Sequence, residues 1–134
     1  MIKIQKEDFN LENEIKAIQS QHRNIGGVST FVGYVRDINN NKKVLSIDLE
    51  VYKEMATSSL KKICDEAKNK WVLVDTLVIH RFGKLEINEK IVLVAAFAIH
   101  RHESIAACNY IMDFLKKDAP FWKKEFYDNE FSWL

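Results

Sequence analysis

The chain has 134 residues, 47% of them hydrophobic and 29% charged, which is the size and composition of one globular domain spanning residues 1–134. Twenty Lys and Arg against nineteen Asp and Glu leave a net charge of +1, which argues against a broad basic surface for nucleic acid or membrane. The longest apolar run, residues 91–99, is about half the length of a membrane-spanning helix, so no transmembrane segment is predicted.

The first half of the chain predicts a strand, a helix and a β-hairpin. Residues 1–4 alternate like a short strand, and Asp8 is the predicted N-cap of a helix with one apolar face. Residues 28–36 and 44–52 are rich in β-branched and aromatic side chains. A polar turn at residues 39–43 separates these two runs, which favours a hairpin between them.

The second half predicts two helices and two longer strands. Apolar residues at helical spacing predict one helix over residues 53–71 and another over 103–117, which Pro120 would end. Residues 71–81 and 90–100 are the predicted strands, and the second is apolar on both faces, as expected at the centre of a sheet. Antiparallel hairpins between helices indicate an α+β fold rather than a doubly wound one.

Two His-Arg pairs end the two longer predicted strands. His80 and Arg81 close the first strand, whereas His100 and Arg101 close the second and also open a helix. The free N–H groups and partial positive charge of a helix N-terminus favour an anion such as a phosphate. The alternative is that both histidines bond to backbone and both arginines are solvated. A plain turn at residues 82–83 favours this alternative for His80.

The most basic segment follows the last predicted helix. Four lysines surround two aromatic residues there: Lys116, Lys117, Phe121, Trp122, Lys123 and Lys124. A lysine in a partly apolar, cationic setting can lose its proton near neutral pH and act in acid–base or nucleophilic catalysis. The alternative is that these lysines complement the helix dipole and solvate the surface. Arg36, at the end of another strand, adds weak support for an anion site.

Several other kinds of site are disfavoured. The four histidines lack the spacing of a metal site, and the glycines form neither a dinucleotide-binding nor a Walker-type loop. No serine lies in a nucleophile elbow. Cys64 and Cys108 fall on apolar helical faces, so they are predicted to be core residues with reduced thiols, as in a cytoplasmic protein.

Five motifs occur in order over residues 26–125. They are Gly26-Gly27 with TFVGYVRD, LEVYKEMA, HRFGKLEINE, AIHRHESIAAC and DFLKKDAPFWKKE. Together these motifs resemble those of the catalytic (large) subunit of molybdopterin synthase, and the last motif is the most specific. Asn88 stands where that family often has glycine, and asparagine tolerates the positive φ that such a position requires.

The resemblance implies an α/β hammerhead-type domain with a mostly antiparallel sheet and an additional small antiparallel sheet. It implies a sulfurtransferase of molybdenum cofactor biosynthesis that converts cyclic pyranopterin monophosphate (precursor Z) into molybdopterin by installing two sulfurs as a dithiolene. The sulfur arrives as a thiocarboxylate at the Gly-Gly end of a small ubiquitin-like carrier subunit. Two large subunits would form a homodimer with one carrier at each outer end, a heterotetramer. The step is expected to need no metal, ATP, nucleic acid or membrane.

The same resemblance implies the site, residue by residue. The implied catalytic residues are Lys116, Lys123 and His100, and the substrate-binding set is Arg36, His100, Arg101, Lys116, Lys123, Lys124 and Glu125. Arginine forks hold phosphate oxygens, which suits Arg36 and Arg101 to substrate binding. His100 is a candidate proton carrier because an imidazole gains and loses protons near neutral pH. Lys116 would stabilise the oxyanion at the reacting carbonyl, and Lys123 would anchor the pterin phosphate or the carrier tail.

Arg101 and Lys116 flank one predicted helix and lie fifteen residues apart. At 1.5 Å per residue, about 22 Å separates their backbones. Long side chains shorten this gap without closing it. We therefore predict a site at or near the dimer interface, with one end supplied by the neighbouring protomer.

Two alternatives to this function remain. One is a non-catalytic scaffold that keeps the fold and the carrier-binding groove, and the intact set of basic residues argues against it. The other is a small nucleic-acid-binding domain that uses residues 120–124. Steep salt dependence of oligonucleotide binding would support that alternative.

Overall fold

The computed structural model describes residues 1–39, 41–127 and 130–133. Along the chain these form β1 (Ile2–Gln5), α1 (Leu11–Gln19), β2 (Gly27–Tyr34), β3 (Ile38–Asn39), β4 (Lys42–Val51), α2 (Lys53–Trp71), β5 (Asp75–Arg81), β6 (Gly83–Glu86), β7 (Lys90–Ala98), α3 (Arg101–Lys117), β8 (Phe121–Tyr127) and β9 (Glu130–Trp133). The bounds predicted for α2 are confirmed, and α3 begins two residues earlier than predicted. None of the described helices is both long and apolar enough to cross a membrane.

The larger sheet has four strands in the order β1–β5–β7–β2. β7 lies between β5 and β2 and is antiparallel to both, whereas β1 is parallel to β5. Alternate residues of β7 belong to two different hydrophobic clusters: Val94 packs with residues of α2 and α3, and Leu93 packs with residues of α1. A strand buried on both faces is apolar throughout, so the predicted central position of this strand is confirmed.

The predicted hairpin between residues 28–36 and 44–52 is wrong. β2 pairs with β7 in the larger sheet, while β4 belongs to a second sheet, and only the short β3 forms a hairpin with β4. The two long strands separate because their apolar residues pack in different clusters. Val32 joins the cluster beside α1, and Ile47 joins a third cluster around Leu85. Apolar alternation predicts a strand but does not say which strand is its neighbour.

The second sheet is antiparallel and is built around β4. β4 pairs with β3, β6 and β8, and β8 pairs with β9. The predicted α+β class, with a mostly antiparallel sheet and a smaller antiparallel one, is confirmed. No strand is predicted from the sequence after Pro120, because the charged residues at 123–125 interrupt the apolar alternation. In the structure this segment is β8.

Two short polar residues fix local turns. Asn10, not Asp8, is the N-cap of α1, and its side chain accepts a hydrogen bond from the Asn13 N–H at 2.9 Å. The Asp8 carboxylate instead accepts from the N–H of Phe9 at 2.8 Å. Asn88 has a φ of 69°, which confirms the left-handed conformation expected at this position.

Gly26 permits a close approach of two backbone segments just before α3, which begins close to the start of β2. Gly26 donates its N–H to the carbonyl of Ala98 at 2.9 Å, and a Cβ at this position would overlap the carbonyl oxygen of Ile99. A Cβ at Gly27 would meet its nearest neighbours, the N and Cα of Arg101, at 3.6 Å, an ordinary contact distance. The first residue of α3 therefore lies directly against the first residue of β2.

Gly26→Ala should lower the free energy of unfolding by about 2 kcal/mol, because the added methyl group meets a backbone atom that cannot move without strain. Gly27→Ala is the matched control, and its change should stay below about 1 kcal/mol. Urea unfolding of the two variants measures the difference. Equal losses in both would contradict the close approach at Gly26.

Candidate active site

The amino-terminal end of α3 carries two of the predicted site residues. His100 is the N-cap, with φ −126° and ψ 155°, and its side chain makes no capping hydrogen bond within the described residues. His100 and Arg101 are both exposed. This end of the molecule therefore combines two basic side chains with the partial positive charge of a helix N-terminus.

Three other predicted residues meet in a small pocket beyond the end of β2. Arg36 lines a cavity of about 30 Å³ together with Lys123 and Glu125 of β8, and the rest of its wall is Tyr34, Val35, Ile38, Ile47 and Ile91. Lys123 and Glu125 share one side of β8 because alternate residues of a strand point to the same face. A cavity of this size holds about one water molecule. We call it the Arg36–Lys123 pocket.

Glu125 is the buried charge of this pocket. It is 4% exposed, and the Tyr127 hydroxyl donates a hydrogen bond to its Oε1 at 2.8 Å. Tyr127 is within reach because it lies two residues further along the same face of β8. A buried carboxylate is costly unless it is hydrogen-bonded or close to cations. Glu125 therefore places a hydrogen-bonded carboxyl group in the wall of the pocket that Arg36 and Lys123 also line.

Lys124 lies on the opposite face of β8 from the Arg36–Lys123 pocket. Its Nζ is 5.5 Å from the centre of the Phe126 ring, and its cross-strand neighbour on β4 is Asp48. Trp122, on this same face, packs edge-on against Tyr52 with ring centroids 5.1 Å apart. Lys124 therefore does not line the Arg36–Lys123 pocket, because strand alternation turns its side chain to the opposite face.

α3 lies along β2 and carries Lys116 towards the end where Arg36 lies. The helix begins against the first residue of β2, and three residues later the hydroxyl groups of Ser104 and Ser29 are 2.8 Å apart. The helix and the strand therefore advance in the same direction. Lys116 is exposed in the last turn of α3, so it lies near the end of β2 that Arg36 follows.

The predicted site residues thus fall into two groups at opposite ends of the protomer. Arg101 lies beside the first residue of β2 and Arg36 beyond the last. Eight strand residues at about 3.3 Å each put the two backbones more than about 20 Å apart. Lys116 is about 22 Å from Arg101 along the axis of α3. One protomer brings Arg36, Lys116 and Lys123 to one end and leaves His100 and Arg101 at the other.

The two cysteines belong to the core, as predicted. Cys64 and Cys108 are buried free thiols in the cluster between α2, α3 and the larger sheet. Burial raises the pKa of the Cys108 thiol to about 11, so it stays protonated. Among the residues that the structure describes, no three His, Cys, Asp or Glu side chains are grouped to hold a metal ion.

Sequence reasoning missed the role of the first His-Arg pair. The His80 Nδ1–H donates to the carbonyl of Arg81 at 2.8 Å, so the backbone-bonded alternative is confirmed for this histidine. Arg81, however, is buried and not solvated. The His80 ring stacks on Phe121, the first residue of β8, with centroids 3.7 Å apart and planes at 19°. The one feature of the sequence that points to this arrangement is that a His-Arg pair occurs at the ends of two predicted strands.

The fold and the two basic groups define a class of protein, an α+β domain with basic side chains at both ends of α3. The family model for the MoaE protein matches residues 4–118 of the chain. The molybdopterin synthase catalytic subunit of Ralstonia nicotianae is 49% identical over 124 residues, which cover 92% of this chain and 70% of that protein. The chain therefore belongs to the MoaE protein family, as its five sequence motifs indicate.

Two solved structures have the same fold. Molybdopterin synthase from Staphylococcus aureus matches with a TM-score of 0.91 and 30% identity, covering 98% of this chain and 95% of that one. A complex of subunits 1 and 2 of the molybdopterin-converting factor from Helicobacter pylori matches with a TM-score of 0.82 and 22% identity, covering 98% and 88%. The second match shows the fold alone, and in that protein the two subunits form a complex.

The folded state should lose stability in acid through His80. Burial lowers the pKa of this imidazole from 6.5 to about 4, so the unfolded chain binds its proton at a higher pH than the folded chain does. Stability therefore falls as the pH drops from 6.5 towards 4, by about 2 kcal/mol between pH 7 and pH 5. His80→Phe cannot take up a proton and should lack this part of the loss. Denaturant unfolding of both proteins at the two pH values measures it, and equal losses would contradict the buried neutral imidazole.

Proposed function

We propose that this chain is the catalytic subunit of a molybdopterin synthase. It transfers two sulfurs from the thiocarboxylated C-terminus of a small ubiquitin-like carrier to precursor Z, forming the molybdopterin dithiolene. The observation that carries the proposal is the meeting of Arg36 and Lys123 in one pocket at the end of the molecule where Lys116 lies. Both ligands of this reaction are anions, a cyclic phosphate and a thiocarboxylate, and fixed cations suit both. Membership of the MoaE family supports the type of reaction.

The reaction needs a group that stabilises negative charge at the carrier carbonyl. The thiocarboxylate sulfur forms a bond to a carbon of precursor Z while a C–O bond at that carbon breaks and its oxygen leaves with the phosphate or as water. The carrier tail is then a thioester. Water then attacks the carbonyl carbon, and the bond between that carbon and the sulfur breaks through a tetrahedral oxyanion. The sulfur stays on the substrate and the carrier leaves as a carboxylate, so a second loaded carrier is needed for the second sulfur. We assign to the Lys116 ammonium group either the stabilisation of this oxyanion or the transfer of a proton to it.

The other assignments follow from charge and position. Arg36 and Arg101 bind phosphate oxygens through their planar forks. Lys123 anchors the pterin phosphate or the carrier tail, and Glu125 keeps that lysine in place from the buried side of the pocket. His100, exposed at the start of α3, carries a proton to or from the substrate.

A second copy of the chain would complete this site. Within the described residues β2 pairs only with β7, so its other edge is open. Phe31 on this strand is 45% exposed, and Ile105, which follows the α3 residue that contacts β2, is 59% exposed. An open strand edge beside exposed apolar side chains is typical of an interface. Antiparallel pairing of β2 with its copy about a twofold axis would bring the Arg101 end of one protomer beside the Arg36–Lys123 pocket of the other.

The carrier tail would enter this site from the outer end of each protomer, giving a heterotetramer of two large subunits and two carriers. We further propose that the step uses no metal or ATP, as the family resemblance implies. The cytoplasmic location predicted from the sequence stays a prediction.

Lys116→Ala should lower turnover by about 10²- to 10⁴-fold, the range expected when a positioned acid or an oxyanion partner is removed. Lys117→Ala, which removes the neighbouring exposed lysine, is the matched control and should keep near-normal turnover. Incubation with precursor Z and thiocarboxylated carrier, with detection of the dithiolene product, measures both. Near-normal turnover by Lys116→Ala would contradict its role, and absence of product with the unmodified protein would contradict the proposed function.

A heterodimer of one Lys116→Ala protomer and one Arg101→Ala protomer should regain activity that neither homodimer has. If each site takes Arg101 from one protomer and Lys116 from the other, one of the two sites in this heterodimer is intact. Co-expression with two affinity tags isolates it, and its turnover should be about half that of the unmodified dimer. No regained activity in the purified heterodimer would count against sharing.

A further inference from the structure

The stack between His80 and Phe121 joins the two sheets at the start of the strand that bears Lys123. His80 lies at the end of β5 in the larger sheet, and Phe121 opens β8 in the second sheet. Their ring centroids are 3.7 Å apart and their planes differ by 19°, so the rings lie nearly face to face. His80 is buried and Phe121 is half-buried. Two flat rings in contact at this distance have little freedom to slide or tilt.

The His80 ring is itself held rigidly. Its Nδ1–H donates to the carbonyl of Arg81 at 2.8 Å, which fixes the orientation of the ring plane. The Arg81 guanidinium donates in turn to the carbonyls of Lys6 and Lys90, each at 3.0 Å. It also lies 3.4 Å from the Glu89 carboxylate. Through Arg81, His80 is therefore connected to the end of β5, to the residue after β1 and to the first residue of β7, all in the larger sheet.

Phe121 connects this fixed ring to the two lysines of the proposed site. It lies on the same face of β8 as Lys123, two residues along, and it pairs across the sheet with Val51 of β4. On its other side the chain passes through Pro120, which has a restricted backbone, to Lys116 in the last turn of α3. A shift of Phe121 would therefore move Lys123 directly and would change the turn that leads back to Lys116.

We propose that His80 is a positioning residue of the active site, whose stacked ring sets the place of β8 and thereby the spacing between Lys116 and Lys123. The function of the two lysines in sulfur transfer rests on the proposed function above, whereas the control of their position by His80 does not. His80 does not touch the Arg36–Lys123 pocket, so it is not a catalytic residue. Its contribution is the geometry of two groups that must act on one carbonyl.

Three variants separate the flat ring from the mere filling of space. His80→Leu keeps an apolar side chain but removes the ring, and it should lower kcat about 10- to 100-fold with little change in the KM for the carrier. His80→Phe keeps a flat ring and should stay within about threefold of normal kcat. Trp71→Leu is the matched control, because it removes an edge-on contact with Tyr110, at 5.2 Å, at the far end of α2 in the same core. It should lower thermal stability and leave kcat unchanged.

A second measurement does not depend on sulfur transfer. Lys123 is half-buried, whereas Lys61 on α2 is exposed. In the folded protein, the rate at which an amine reagent labels Lys123, relative to Lys61, should rise about threefold in His80→Leu and stay normal in His80→Phe. Mass spectrometry of peptides from the labelled protein gives both rates. Phe121→Leu, which removes the stack from the other side, serves in the same way if His80→Leu does not fold.

The two measurements distinguish the outcomes. If the unmodified protein makes no dithiolene product but the labelling of Lys123 changes as expected, the proposed function fails and the positioning by His80 stands. If a folded His80→Leu or Phe121→Leu protein keeps both normal kcat and normal labelling of Lys123, the positioning proposal is overturned. An equal fall in kcat for His80→Phe and His80→Leu would overturn it as well, because the ring would then not be what matters.

Discussion

α3 lies close against the larger sheet because the side chains between them are small. Ser29 and Ser104 meet through their hydroxyl groups at 2.8 Å, and Ala96 and Ala107 are completely buried in the same cluster. Larger side chains here would push the helix away from β2 and β7. Both ends of the helix depend on this packing, one end lying against the start of β2 and the other near its end. The separation of the two basic groups is therefore a consequence of how a rigid helix packs on a strand.

β8 crosses from one core to another and carries charged residues between its two anchors. Phe121 packs against the cluster formed by α2, α3 and the larger sheet, while Tyr127 belongs to the third cluster, under β4. Between them Lys123 and Glu125 share the face that is turned to the Arg36–Lys123 pocket. Aromatic side chains at both ends hold the strand, so charged groups in its middle can be partly or fully buried without loosening it.

Local sequence patterns predicted some elements well and others not at all. α2 has its predicted bounds, because an apolar stripe at helical spacing is a property of consecutive residues and needs no knowledge of distant ones. The central place of β7 followed from its apolar character on both faces. By contrast, the hairpin predicted for residues 28–36 and 44–52 is wrong. It was expected because the two strands are close in the chain, but in the structure their apolar residues are buried in different clusters.

For the candidate site too, the sequence predicted some features and not others. The motifs pointed to the right family, and helix geometry alone required that Arg101 and Lys116 lie about 22 Å apart. Neither pattern nor spacing indicated that Lys123 meets Arg36 while the next residue, Lys124, points to the other face.

The sequence by itself determined which segments are helical, which strand is central and which family the chain resembles, because these depend on local periodicity and on the order of motifs. Only the tertiary structure decided which basic residues converge and which histidine is buried under Phe121. Those facts depend on the pairing of β4 with β8 and on the packing of β5 against the start of β8, contacts between segments far apart in the chain. A formal charge of +1 over 134 residues is consequently compatible with basic side chains gathered at two ends of the molecule. Folding, and not composition, brings these side chains together.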